Sequence, residues 1–240
     1  MLSVIIPAYN EADNIEIVVK ELIKTLDELA DDWEILVVDD GSKDSTYVKA
    51  KKLEELNGGR VKALRYGTNK GKGFALKYGF GYSTGDIVVF IDADMDLPPQ
   101  QIRKFLEIMD RTNADVVTGS KRHPESEVKY PLLRRFLSFA YYTFTRLLFN
   151  LNVKDTQAGL KVFKRDVLEN VMPRILVKRY AFDVEILANA VKRGYIIVEA
   201  PVVLGFRYSS RIDWKAVWRM FVDTLAIAYR MYIKKYYDRF

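Results

Sequence analysis

The sequence predicts an α/β fold, an open and mostly parallel sheet flanked by helices, on three observations. Short runs rich in Val and Ile recur through the first 120 residues, at 2–6, 34–38, 61–64, 86–91 and 115–118. They are almost continuously apolar, as strands buried on both faces are. Amphipathic helical stretches separate them, and polar clusters follow where the runs end. This βαβαβαβ order makes a sheet with helices packed against it.

The first run passes through Pro7-Ala8-Tyr9-Asn10-Glu11 into a helix with Ile15, Val18, Val19, Leu22, Ile23, Leu26 and Leu29 at helical spacing. The second ends in Asp39-Asp40-Gly41-Ser42. That segment serves as a plain strand-to-helix turn, or it offers a carboxylate to a base imide or a ribose hydroxyl. The third leads to Asn69-Lys70-Gly71-Lys72-Gly73. It reads either as a loop and helix start or as a backbone and lysine cradle for a phosphate. The fourth ends in Asp92-Ala93-Asp94-Met95-Asp96, and Pro98 and Pro99 then open a helix carrying Ile102, Phe105, Leu106 and Met109. Ligands of open α/β sheets bind at the carboxyl ends of strands, so these clusters outline one crevice. The sequence contains neither G-x-G-x-x-G after its first strand nor G-x-x-x-x-G-K-[ST]. A Rossmann dinucleotide site and a Walker loop are therefore unsupported.

Asp92, Asp94 and Asp96 carry the sharpest chemical signal. In an extended segment, residues at i, i+2 and i+4 point to one side, so three carboxylates converge. Like charges so close repel unless a cation holds them or one stays protonated. The chain has no Cys and one His, His123, so oxygen ligands imply Mg²⁺ or Mn²⁺. The alternative has Asp96 capping the helix at Pro98 while Asp92 and Asp94 are solvated, which explains one aspartate of three. His123 itself reads as a solvated loop residue.

Past residue 120 the pattern changes. Residues 132–149 form a helix apolar on most sides, with a polar stripe of Arg135, Ser138, Tyr142 and Arg146. A turn at 155–159, a strand at 160–163, a helix at 182–193 and a strand pair around 196–198 and 202–206 follow. A long helix from about Asp213 ends the sequence. Trp214, Val217, Trp218, Phe221, Leu225, Tyr229 and Tyr232 lie along one side of it, and Lys215, Arg219, Arg230 and Lys234 share another. Interfacial helices combine residues in this way. An ordinary core accounts equally for Trp214, Trp218 and Phe221, while 132–149 suits a membrane contact or a homodimer interface.

Composition bounds the function. With 240 residues, 49 % of them hydrophobic, the chain can bury a sizeable core. Lacking Cys and nearly lacking His, it excludes a disulfide scaffold, thiolate metal sites and most His-based metal cages. Residues 1–120 carry 15 basic against 21 acidic residues, and 121–240 carry 23 against 11. The pI of about 9.2 raises nucleic acid as a partner, but that reading leaves the aspartates without a role. The charge-free runs at 1–10 and 136–145 are half the ~20 residues needed to span a bilayer. The first has no basic leader and is broken by Pro7, so it does not read as a signal peptide. The expected location is cytoplasmic, peripheral to the cytoplasmic face of a membrane, with no nucleic-acid partner.

Val4-Ile5-Ile6-Pro7-Ala8-Tyr9-Asn10-Glu11, Val37-Val38-Asp39-Asp40-Gly41-Ser42, Asn69-Lys70-Gly71-Lys72-Gly73 and the DXD run Asp92-Ala93-Asp94 resemble the signature of inverting, GT-A-fold (Rossmann-like) glycosyltransferases. Asp155-Thr156-Gln157-Ala158-Gly159-Leu160-Lys161 and Tyr180-Ala181-Phe182-Asp183-Val184-Glu185 are similar to the dolichyl-phosphate β-glucosyltransferase branch rather than its mannose-transferring sister. The resemblance implies a single catalytic domain over 1–240. Residues 1–120 would bind the nucleotide sugar, 121–212 the acceptor, and 213–240 would form a C-terminal amphipathic helix. It implies UDP-glucose as donor, with GDP-mannose as the alternative, and a polyprenyl (dolichyl) phosphate as acceptor.

By the same resemblance, Pro7, Tyr9 and Glu11 surround the uridine, and Asp40 holds the base beside Ser42. Asp92 and Asp94 bind the ribose–diphosphate and a Mg²⁺ or Mn²⁺ ion, with Asp96 as a third ligand where relatives often carry glutamine. Lys72 contacts the donor phosphates. Lys121 and Arg134 meet the acceptor phosphate, and Arg207 and Arg211 belong to a basic loop over the donor. Asp183 orients the sugar or supports the fold in preference to acting as a base. A phosphomonoester, with a second pKa of about 6, is largely dianionic at neutral pH and needs no general base.

Overall fold

The computed structural model describes residues 1–127, 132–179, 181–205 and 214–239, and of residues 132–136 the backbone alone. Strands β1 (Leu2–Ala8), β2 (Trp33–Asp39), β3 (Val61–Arg65), β4 (Ile87–Phe90), β5 (Val116–Ser120), β6 (Lys161–Lys164) and β7 (Ile197–Pro201) form one sheet, ordered β3-β2-β1-β4-β6-β5-β7. All neighbouring pairs run parallel except β6, which is antiparallel to both β4 and β5.

The apolar runs become strands because both of their faces are covered. Val4 and Ile6 of β1, with Ile35 and Val37 of β2, pack against α1 (Ile15–Asp27), α2 (Thr46–Leu56) and α4 (Ile102–Thr112). Ile5, Leu36 and Val38 face the opposite layer of α3 (Lys72–Phe80), α6 (Arg165–Val171) and α7 (Phe182–Lys192). Alternate residues of one strand thus enter different cores. Of the strand pair expected at 196–198 and 202–206, the first forms as β7 and the second, among the described residues, does not. Instead, β7 joins β5 in parallel, and beyond it Val203 makes an isolated bridge to Glu127.

Helix α5 (Leu132–Phe149) and helix α8 (Trp214–Ala228) pack on the α7 side, where Phe144 stacks on Phe221 at 4.7 Å and Tyr141 hydrogen-bonds Thr224 at 2.9 Å. The last helix widens into a π-helical stretch, Tyr229–Ile233, and the chain then turns at Lys235, whose φ is +48°. That turn returns Tyr237 to the core, fully buried. Arg230 does not share the outer basic side. Its guanidinium points inward, 3.1 Å from the Tyr237 hydroxyl and 3.3 Å from Glu185. Trp214 and Trp218 stay exposed, at 59 % and 66 %. Among the described residues no helix is long and apolar enough to cross a membrane.

Candidate active site

A crevice of about 530 Å³ opens at the carboxyl ends of β1, β2 and β4. Pro7, Tyr9, Glu11, Asp40, Lys72, Asp92 and Asp94 are among the residues that line it. These residues, scattered over more than 80 positions in the sequence, meet because each follows a strand of the parallel sheet or opens the helix after one. Ser42 does not face the crevice. It is buried, and its hydroxyl accepts the Asn10 N–H at 2.9 Å. Arg207 and Arg211 lie outside the described residues, as does the side chain of Arg134.

The second strand end divides the labour of its two aspartates. Asp39 is buried, accepting the Ser42 N–H at 3.1 Å and meeting Arg65 Nε at 3.0 Å. Asp40 faces the crevice but is occupied by protein. Its Oδ1 accepts the Tyr66 hydroxyl at 2.8 Å and the Lys70 N–H at 2.7 Å, and its Oδ2 accepts the Gly71 N–H at 2.8 Å. A carboxylate oxygen takes two donors, so Oδ2 has room for one more.

These bonds revise the phosphate-cradle reading of residues 69–73. The Gly73 and Phe74 N–H groups donate to the Lys178 carbonyl at 2.9 and 3.3 Å. With Lys70 and Gly71 held by Asp40, four of the backbone donors between residues 70 and 74 are already engaged within the protein. Gly71 makes this possible: its φ is +99°, and a Cβ there would stand 2.5 Å from the Lys178 oxygen. The Lys72 side chain reaches the crevice. Its Nζ lies 2.6 Å from Asp92 Oδ1. Burial works against its charge, but Asp92, Asp183 and Asp94 outweigh that and hold the ammonium above the ordinary lysine range.

The aspartate run is not extended. β4 stops at Phe90, residues 93–94 form a turn, and Met95 adopts a left-handed φ of +63°. Asp96 is therefore carried past the crevice lining, its N–H donating to Asp94 Oδ1 at 3.0 Å and its carbonyl accepting from Gly205 at 2.8 Å. The convergence of three carboxylates fails for this reason. Among the described residues no three acidic or histidine side chains group as a metal cage. Asp92 and Asp94 remain as a pair. Loss of surrounding water, then the charge of Asp92, pushes the Asp94 carboxyl up to about 6. Two hard oxygen ligands short of positive charge fit an ion that keeps its own waters and takes phosphate oxygens, as Mg²⁺ and Mn²⁺ do.

Asp183 is not among the residues lining the crevice. It is buried in the first turn of α7, and Lys161 Nζ reaches its Oδ1 at 2.7 Å while donating to the Ala158 carbonyl at 2.6 Å. A carboxylate so sealed and paired has no path to a substrate proton, which favours the structural reading. Lys161 escaped sequence reasoning because a lysine in a strand reads as exposed, yet it is among the largest fully buried side chains. The loop before β6 has a second task. A Cβ on Gly159 would stand 2.3 Å from Asp92 Oδ2, so this glycine lets the loop close against the aspartate. The same loop is tied to the end of β5, where the Lys121 N–H donates to Asp155 Oδ2 at 3.0 Å. Arg179 also lines the crevice. No motif marked it, since it arrives from a loop distant in sequence from the strand ends.

Similarity to known proteins identifies the family. The chain is 34 % identical over 213 residues to a dolichyl-phosphate β-glucosyltransferase of Dictyostelium discoideum, covering 84 % of this chain and 65 % of that one. It is 31 % identical over 219 residues to the protein of that name from Saccharomyces cerevisiae, covering 84 % and 66 %. The chain thus spans just under two thirds of the length of these relatives. Among solved structures, glucosyl-3-phosphoglycerate synthase of Mycobacterium tuberculosis, in complex with Mn²⁺, UDP and glucosyl-3-phosphoglycerate, superposes with a TM-score of 0.71 at 20 % identity, over 95 % of this chain and 80 % of that one. This likeness shows the fold, the GT-A type that the motifs led us to expect. Residues 3–172 match the glycosyl transferase family 2 domain, and the chain belongs to that family.

Proposed function

We propose that the protein transfers glucose from UDP-glucose to a polyprenyl phosphate of the dolichyl type, with inversion and with a divalent metal, at the cytoplasmic face of a membrane. The observation that carries this reading is the crevice in which Asp40, Asp92, Asp94, Lys72 and Arg179 meet. Relatives at 34 % and 31 % identity, both named dolichyl-phosphate β-glucosyltransferase, support the choice of sugar and acceptor.

Pro7, Tyr9 and Glu11 would enclose the nucleoside, and Asp40 would present its remaining lone pair to it while holding the 69–71 loop. A divalent ion on Asp92 and Asp94 would supply Lewis-acid stabilisation of the leaving diphosphate. Lys72 and Arg179 add fixed positive charge where negative charge develops. The acceptor phosphate, guided by Lys121 and Arg134, attacks the anomeric carbon as a dianion. One in-line displacement turns an α-linked donor into a β-linked product. No base is required, which agrees with Asp183 being committed to Lys161.

The lipid tail gives a task to α5 and α8. Phe139, Leu147, Trp214 and Trp218 are exposed there, with Lys215 and Arg219 beside them. Basic side chains near an anionic leaflet contribute about 1 kcal/mol each. The test is incubation with Mg²⁺ or Mn²⁺, a short polyprenyl phosphate and a panel of nucleotide sugars. UDP should be released from UDP-glucose only when the lipid phosphate is present. GDP release from GDP-mannose instead would overturn the assignment, and release onto a sugar acceptor without lipid would point to a hydroxyl-directed transferase.

A further inference from the structure

Lys72 and Asp92 form an ion pair on the crevice wall, the lysine side chain 27 % and the aspartate 31 % exposed. Asp94 lines the same crevice and feels the charges of both, and it makes no ion pair among the described residues. Two carboxylates therefore share one ammonium. The nearby Lys161 cannot help, since Asp183 and the Ala158 carbonyl take its Nζ in a buried site. Arg179 lies on the rim, exposed and on a different loop.

The backbone carrying Lys72 is pinned on both sides. Asp40 holds the N–H groups of Lys70 and Gly71, and the Lys178 carbonyl holds those of Gly73 and Phe74. Lys72 can therefore change partner only by swinging its side chain. Its four-carbon stem and compact ammonium suit that movement, as a rigid guanidinium fork would not.

We propose that Lys72 is a resident counter-ion, holding Asp92 in the donor-free protein and passing to the donor diphosphate when a divalent ion arrives with the nucleotide sugar. This rests on the donor-binding reading above. Charge pairing supports the exchange. A divalent ion balances Asp92 and Asp94, and the displaced Lys72 joins Arg179 in balancing the diphosphate. An ion arriving alone meets an ammonium already hydrogen-bonded to one of its ligands, and evicting it leaves that ammonium without a partner. Metal and nucleotide therefore bind together, each weakly without the other, a reciprocity that linkage requires.

Manganese binding by the full chain tests this, read from the loss of the electron paramagnetic resonance signal of the free ion. Without nucleotide, Lys72→Met should bind Mn²⁺ about tenfold more tightly than the wild type or better, because a unit charge within hydrogen-bond reach is gone. Lys72→Arg, which keeps the charge, should stay near the wild type. UDP should strengthen Mn²⁺ binding about tenfold or more in the wild type and by a smaller factor in Lys72→Met. Circular dichroism melts verify that the variants fold. If UDP draws Mn²⁺ into the wild type but Lys72→Met binds the ion no more tightly alone, the counter-ion role is wrong and the donor site stands. If UDP draws no Mn²⁺ into the wild type, the donor reading itself falls.

Discussion

Two lysine–aspartate pairs, one buried outside the crevice lining and one within it, have nearly equal lengths: 2.7 Å for Lys161–Asp183 and 2.6 Å for Lys72–Asp92. Their surroundings differ. The first pair is sealed, at 2 % and 7 % side-chain exposure, with the ammonium also bound to a backbone carbonyl. The second is open to the crevice, at 27 % and 31 %. Distance does not decide what an ion pair is for; access does. A sealed pair cannot exchange partners, so its charges fasten α7 to β6. An open pair can release one partner to a ligand, so its charges are available for chemistry.

Breaking the sealed pair should have the largest effect. Lys161→Met leaves a buried carboxylate without its cation and should cost about 3–5 kcal/mol of stability, measured by urea unfolding. Lys161→Met combined with Asp183→Leu removes both charges and should recover most of that loss. Failure of the double variant to recover would mean that Asp183 has a further partner the pair does not account for.

Asp94→Asn acts on the open side. The shape is kept and the Asp96 N–H still finds an oxygen, so the thermal midpoint should stay within about 2 °C. Turnover should fall about 10²–10³-fold, the scale on which losing one electrostatic stabiliser of a transition state is felt. A stability loss comparable with that of Lys161→Met would place Asp94 in the structural class instead.

Gly159→Ala probes the joint between the two pairs, since its new methyl would meet Asp92 Oδ2 at 2.3 Å. Asp92 must swing aside, and donor affinity should fall about tenfold, with a stability cost of about 1–3 kcal/mol. Isothermal titration with UDP and Mn²⁺ separates the two effects. Unchanged affinity would show that the orientation of Asp92 is immaterial to donor binding.

How far the sequence reveals this site follows from the same contrast. Strand-end position is legible from the apolar runs, and it makes neighbours of Pro7, Tyr9, Glu11, Asp40, Lys72, Asp92 and Asp94, all of which line the crevice. Local backbone shape is not legible. Nothing in Asp92-Ala93-Asp94-Met95-Asp96 announces that Met95 turns left-handed and carries Asp96 away. Inward-turned cations are equally hidden, because Lys161 and Arg230 find their acidic partners on α7, far along the chain. The motif of the 155–161 loop marks a resemblance, and only the folded chain shows that its glycine meets Asp92 and its lysine meets Asp183.

The smallest expected effect is the most telling. Lys72→Met breaks an ion pair as short as the sealed one, yet the partly solvated Asp92 keeps access to water once its lysine is gone. Pairs of that kind contribute about 0–1 kcal/mol, so urea unfolding should shift by less than 1 kcal/mol. The variant should nevertheless lose turnover, because its ammonium is wanted by the leaving diphosphate rather than by the fold. A Lys72→Met protein as unstable as Lys161→Met would erase the distinction between the two pairs, since exposure would then have failed to separate a charge that holds the chain from one that serves a ligand.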